Sequence, residues 1–164
     1  MSVNMNQFTQ GVVAGQLDLQ SGGLGPAFTF RIDPDSASED IVAGTAVALK
    51  DGGANDPGGV PLVDVVAADT TISFGTIIFD PKEGKKQAGD IVQVSSDGNV
   101  QWMSASAALA RGVAVSLDVS DPGVVQAHGS TLPQFGILLD KASGAGVLVR
   151  VLVRPLAILV VDTV

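Results

Sequence analysis

The sequence predicts an all-β protein: a single domain over 1–164, built as a β-barrel or sandwich with at most one or two short helices. Three observations predict this. Apolar and polar residues alternate with a period of two along much of the chain, the pattern of strands that bury one face. Glycine and proline, 20 and 8 residues of 164, join aspartate in clusters that break the alternation at short intervals. The acids are nearly all aspartate, with Glu39 and Glu83 the two exceptions. Aspartate suits turns and caps, whereas glutamate suits helix interiors.

In chain order, the alternation places strands at 12–20, 28–33, 46–50, 62–66, 76–80, 91–95, 100–103, 112–119, 124–127, 135–140 and 146–160. Turn signals separate them, among them Asp51-Gly52-Gly53, Asp56-Pro57-Gly58-Gly59, Asp121-Pro122-Gly123 and Ser143-Gly144. Asp97-Gly98-Asn99, between IVQVSS and VQWM, reads as a β-hairpin turn. Helix is expected only at 104–110, where Ser104 can cap an alanine-rich stretch, and for one turn at 36–42.

The stretch GVLVRVLVRP carries the most information. Val147, Val149, Val151 and Val153 fall on one face of a strand and should line the core. Leu148, Arg150, Leu152 and Arg154 fall on the other. Two readings of that second face stand. In one, arginine stems cover the leucines and their heads meet surface aspartates. In the other, the face meets a second subunit, since arginine is enriched at interfaces. Trp102 is a further core or interface anchor. Pro155 withholds a ladder donor, so the strand bends or lies at an edge there. Residues 1–27 differ in composition, rich in Gln, Asn, Gly and Ser with Asp18 as their one charge. They read as a peripheral strand and loop, as an arm that orders on a neighbour, or as a partly ordered terminus.

The net charge of −8 and a pI near 4.3 argue against nucleic-acid and anionic-membrane partners, because nine scattered basic residues cannot neutralise a phosphate lattice. Lys82, Lys85 and Lys86 form the one small basic cluster. The absence of cysteine excludes disulfides and thiolate metal sites. MSVNMNQFTQ has no signal-peptide pattern, and the longest apolar run, 156–161, falls well short of the about 20 residues that span a bilayer. The expectation is a soluble protein made in a cytoplasm.

Catalytic and metal constellations are sparse. His128 is the one histidine, and Ser116, Ser130 or Asp121 are its conceivable triad partners, but no GxSxG elbow accompanies them. Asp33, Asp35, Glu39 and Asp40, and separately Asp51 and Asp56, offer carboxylates without the spacing of a calcium loop. Gly22-Gly23-Leu24-Gly25 lacks the Gly-Lys-Ser/Thr ending of a phosphate loop. No enzyme activity, cofactor or metal is therefore expected.

Short echoes run through the middle of the chain. AGTAVAL (43–49) resembles AGDIVQV (88–94), and Phe74-Gly75-Thr76-Ile77, Arg111-Gly112-Val113-Ala114 and Phe135-Gly136-Ile137-Leu138 each place a glycine at the head of a strand. In order, AGTAVALKDGG, FGTIIFDPKEGKKQAGDIVQVSSDGNVQW and SAALARGVAVSLD resemble the structural cement, or decoration, proteins of tailed bacteriophages. The likeness covers about residues 40–120 and rests on Ala43, Gly44, Val47, Gly75, Lys82, Ala88, Gly89, Asp90, Val92, Gly98 and Gly112. It implies a small β-rich protein on the capsid exterior of the virion, made in the host cytoplasm. It also implies homotrimers that bind the major capsid protein and stabilise the head without catalysis. The alternative is a phage tail or surface recognition module for a carbohydrate or receptor, which would need an exposed platform such as Trp102.

Overall fold

A computed structural model describes residues 14–17, 27–36, 40–50, 58–69, 71–78 and 84–156. Among them the regular structure is all strand: β1 (Ala27–Ile32), β2 (Ala46–Leu49), β3 (Leu62–Val65), β4 (Gly75–Ile77), β5 (Ile91–Ser95), β6 (Val100–Ala105), β7 (Ala114–Asp118), β8 (Val124–Ala127), β9 (Gln134–Leu138) and β10 (Leu148–Leu156). The all-β expectation holds, and its form is two closed barrels in tandem. The first has the strand order β1-β3-β2-β4-β5 and the second β10-β6-β8-β7-β9.

The two barrels have the same connectivity. The first and third strands of each half run parallel, β1 with β3 and β6 with β8, and every other pairing is antiparallel. The match extends to single hydrogen bonds. Gly44 N–H donates to Ile77 O at 2.8 Å, and Gly112 N–H donates to Leu138 O at 2.8 Å. Gly89 N–H reaches Ile32 O at 3.0 Å, and Gly146 N–H reaches Ala105 O at 2.8 Å. The isolated bridge Ile41–Lys86 has its counterpart in Leu109–Ala142. These glycines, all at φ between 77° and 87°, turn the corners that lead into β2, β7, β5 and β10. The described residues form a five-stranded unit repeated twice.

Each barrel fills its own interior. Phe30, Ile32, Val47, Val63, Ile77, Val92 and Val94 pack the first, and Met103, Val115, Leu117, Val125, Phe135, Leu138 and the valines of β10 pack the second. Val149, Val151 and Val153 are fully buried, as their alternation requires. The register of β10 against β9 shifts between Val153 and Leu156, so the irregularity falls where Pro155 sits. The expected strand at 12–20 is described only over 14–17, where Leu17 bridges Gln101 of β6.

Two local expectations are corrected. Residues 104–110 are not a helix: Ser104 pairs with Leu148 and Val124, Ala105 is buried, and Leu109 bridges Ala142. Barrel pairing on both sides of β6 overrides the alanine preference for helix. Asp97-Gly98-Asn99 is not a hairpin turn, because β5 and β6 belong to different barrels and do not pair. Asn99 N–H closes a turn on Ser96 O at 3.2 Å, and Gly98, its third residue, has φ of 90°. Positive φ at the third position alone marks a type II turn, whereas tight hairpins need the primed types. This turn is the link between the barrels, and β10 clamps it: Gly98 N–H donates to Val153 O at 2.9 Å, and Val153 N–H donates to Asn99 O at 2.8 Å. The other expected helical turn, 36–42, lies partly outside the described residues.

Candidate interaction surface

The outer wall of the second barrel gathers the residues that the alternation singled out. Trp102 on β6 lies opposite Arg150 on β10, and the guanidinium carbon stands 5.8 Å from the indole centroid. Asp140 takes the same arginine in a fork, from Nε at 2.9 Å and Nη2 at 2.8 Å, and also accepts the Arg150 backbone N–H at 3.0 Å. Arg154 approaches Asp97 at 3.5 Å. Both arginine heads therefore meet aspartates of this chain. Leu148 is exposed and Leu152 half-buried on the same wall.

The fork sets the acid response of this wall. Asp140 is held below its ordinary value of 3.8, chiefly by the Arg150 side-chain hydrogen bond, against an opposing desolvation effect. A carboxyl depressed in the folded state contributes stability that is complete above the unfolded value and is lost as pH falls through the folded one. Asp33, lowered by the hydrogen bond from Lys50, acts in the same direction. Urea midpoints are thus expected to fall as pH drops below about 4, and to fall less steeply in Asp140→Asn. An equally steep acid loss in that variant would show that the fork contributes no pH dependence.

A second surface was not foreseen from sequence. At one rim of the first barrel, Phe28, Leu49 and Ile72 are 41%, 53% and 49% exposed and line an apolar groove with Phe74 and Pro155. Phe74 meets Phe28 and Phe30 edge-on, with ring centroids 5.7 and 5.3 Å away. The available signal was Ile72, an apolar residue stranded in the polar loop ADTTISF before β4.

The remaining candidates are dispersed. His128 is exposed, with Nδ1 3.1 Å from Ser116 Oγ, but Ser116 is 1% exposed, which withholds its hydroxyl from any substrate. Among the described residues no three His, Cys, Asp or Glu side chains group to hold a metal. Asp51, Asp56, Lys82 and Gly22–Gly25 lie outside the described residues. Lys85 pairs with Asp40 at 2.7 Å. No helix among the described residues is long and apolar enough to cross a membrane.

No protein-family profile and no curated protein matches the chain. Among solved structures, the chain is similar to the head fiber gp8.5 N base of bacteriophage phi29, with 20% sequence identity and a TM-score of 0.48, over 79% of this chain and 93% of that one.

Proposed function

We propose that this chain is a non-catalytic cement, or decoration, protein of a tailed bacteriophage, which binds the assembled major capsid protein lattice from outside and stabilises the head. The observation that carries the reading is the ordered series of glycine-led strands over about residues 40–120 that resembles that family. Gly44, Gly89 and Gly112 of that series all adopt positive φ at barrel corners, so its residues specify a rigid β scaffold. The scaffold supports binding by surface complementarity, and the acidic chain is suited to protein partners over nucleic acid.

The mechanism is mass action. A protein that binds only the assembled lattice stabilises it by RT ln(1 + [L]/Kd), about 2.7 kcal/mol per site at 100 times Kd. Summed over the many junctions of a shell, that opposes rupture by packaged DNA. Trimers fit because a decorating oligomer matches a lattice of like local symmetry.

Capsids stripped of decoration and mixed with the purified chain test the reading. Binding to assembled shells but not to free capsid subunits, with a raised temperature of DNA release, is the expected result. Absence of both effects removes the proposal. The recognition-module alternative needs an open aromatic platform, and Trp102 is half-buried against Arg150. Glycan binding that collapses on Trp102→Ala would restore that alternative.

A further inference from the structure

We infer that copies of this chain associate head to tail, with the open rim of the first barrel receiving the outer wall of the second barrel of a neighbouring copy. The duplication supplies the argument. Within one chain, a cross-strand row on the first barrel, Ala46–Thr76–Ser95, is buried, at 4%, 0% and 0% exposure. It faces the rim of the second barrel. Thr76 Oγ1 donates to Gln101 Oε1 at 2.6 Å, and Ala46 joins the buried cluster of Leu117 and Phe135. Asp69, on the loop before β4, accepts the Val119 N–H at 2.8 Å and so fixes the docking. Residues 14–17 complete the cover along β6.

Each partner in that internal interface has an equivalent in the other barrel, and among the described residues neither equivalent has an intrachain cover of this kind. The strand registers equate Gln101, Leu117 and Phe135 of the covered rim with Phe28, Leu49 and Phe74 of the open one. They equate the row Ala46–Thr76–Ser95 with Ala114–Ile137–Leu152, which runs across β7, β9 and β10 and is only half-buried.

The chemistry of the two equivalents is matched. Inside the chain a polar row residue, Thr76, meets a polar rim residue, Gln101. At the unused pair Ile137 replaces the threonine and Phe28 the glutamine, so both sides become apolar together. Leu152 likewise stands where the internal row has Ser95. An apolar wall and an apolar groove of matching placement are what an interface between copies requires, since exposed apolar surface is costly to leave in water. Such a contact is heterologous, so it closes into a ring or extends as a filament. The inference does not depend on the capsid reading.

Light scattering on sized fractions tests it with two variants, Leu49→Asp on the rim and Ile137→Asp on the wall. Wild-type chain is expected to be oligomeric and each variant monomeric with unchanged circular dichroism. An equimolar mixture of the two should form dimers and nothing larger, because one intact rim then meets one intact wall. A monomeric wild type, a variant that keeps the wild-type mass, or a mixture that stays monomeric would each overturn the inference.

Should Ile137→Asp not fold, Leu152→Asp replaces it as the wall variant. As an independent check in this cysteine-free chain, Phe28→Cys combined with Ile137→Cys, the equivalents of the Gln101–Thr76 contact, should cross-link between molecules on oxidation. A link formed only within one chain would equally overturn it.

Discussion

Gly75→Val is expected to abolish the folded state at room temperature or leave it marginal. Gly75 opens β4 between β2 and β5, opposite Val47. A Cβ there would run into the carbonyl oxygen of Ser95 and stand 3.0 Å from Val94 Cγ1, a core side chain. The first obstacle is backbone and cannot swing aside, and the second is packed in the core, so the cost should reach or exceed the ~3 kcal/mol upper range of ordinary overpacking. Gly136, its equivalent in β9, is similarly hemmed in, with Leu152 O at 2.5 Å and Val151 Cγ1 at 2.6 Å. Gly89 is the contrast: nothing lies near its Cβ position, and Gly89→Ala should cost only the left-handed backbone penalty of about 1–2 kcal/mol. Urea melts of the two variants give the comparison. A Gly75→Val variant within 1 kcal/mol (about a fivefold change in the folding constant) of wild type would contradict the close approach of β4 to β5.

Val151→Asp should be nearly as severe. Val151 has no exposed surface, pairs with Leu138 and Gln101, and sits in the apolar cluster with Met103 and Phe135. A carboxylate there has no partner, and leaving a charge buried and unpaired costs on the order of 3–5 kcal/mol. The adjacent Arg150→Glu should cost less, on the order of 1–2 kcal/mol, because its fork with Asp140, although bidentate, is about a third exposed and solvent screens both the lost pair and the new repulsion between carboxylates. Thermal melts monitored by circular dichroism would show the difference between neighbours in sequence. Equal losses would mean that the two faces of β10 are not inside and outside.

The strands were legible because period-two alternation and Gly/Asp punctuation act locally. The bounds 91–95 and 124–127 match β5 and β8 as the sequence drew them. The failures share one cause, which is that tertiary pairing is not local. The Asp-Gly turn at 97–98 was read correctly as a turn, but nothing in IVQVSSDGNVQW says that its flanking strands join different barrels. The duplication was half visible. Phe74-Gly75 and Phe135-Gly136 are true structural equivalents, whereas the stronger textual echo, AGTAVAL with AGDIVQV, joins two different strands of one barrel. Echoes of seven residues report a shared corner geometry, Gly44 and Gly89 both at positive φ, and not a shared position in the fold.

On the candidate surface, the alternation of β10 set Leu148, Arg150, Leu152 and Arg154 on one face, and the pairing of β10 with β6, which alternation does not reveal, brings Trp102 beside Arg150. The apolar rim escaped notice because Phe28, Leu49 and Ile72 come from three separated segments. Only barrel closure brings those segments side by side.

The order of strands along the chain has a kinetic consequence. All five strands of the first barrel lie before residue 96 and all five of the second after residue 99, so no strand of either half waits for a partner from the other. During synthesis the leading half can therefore close while the trailing half is still in the ribosome. Its finished outer row, Ala46, Thr76 and Ser95, then offers the emerging β6 a surface on which to begin.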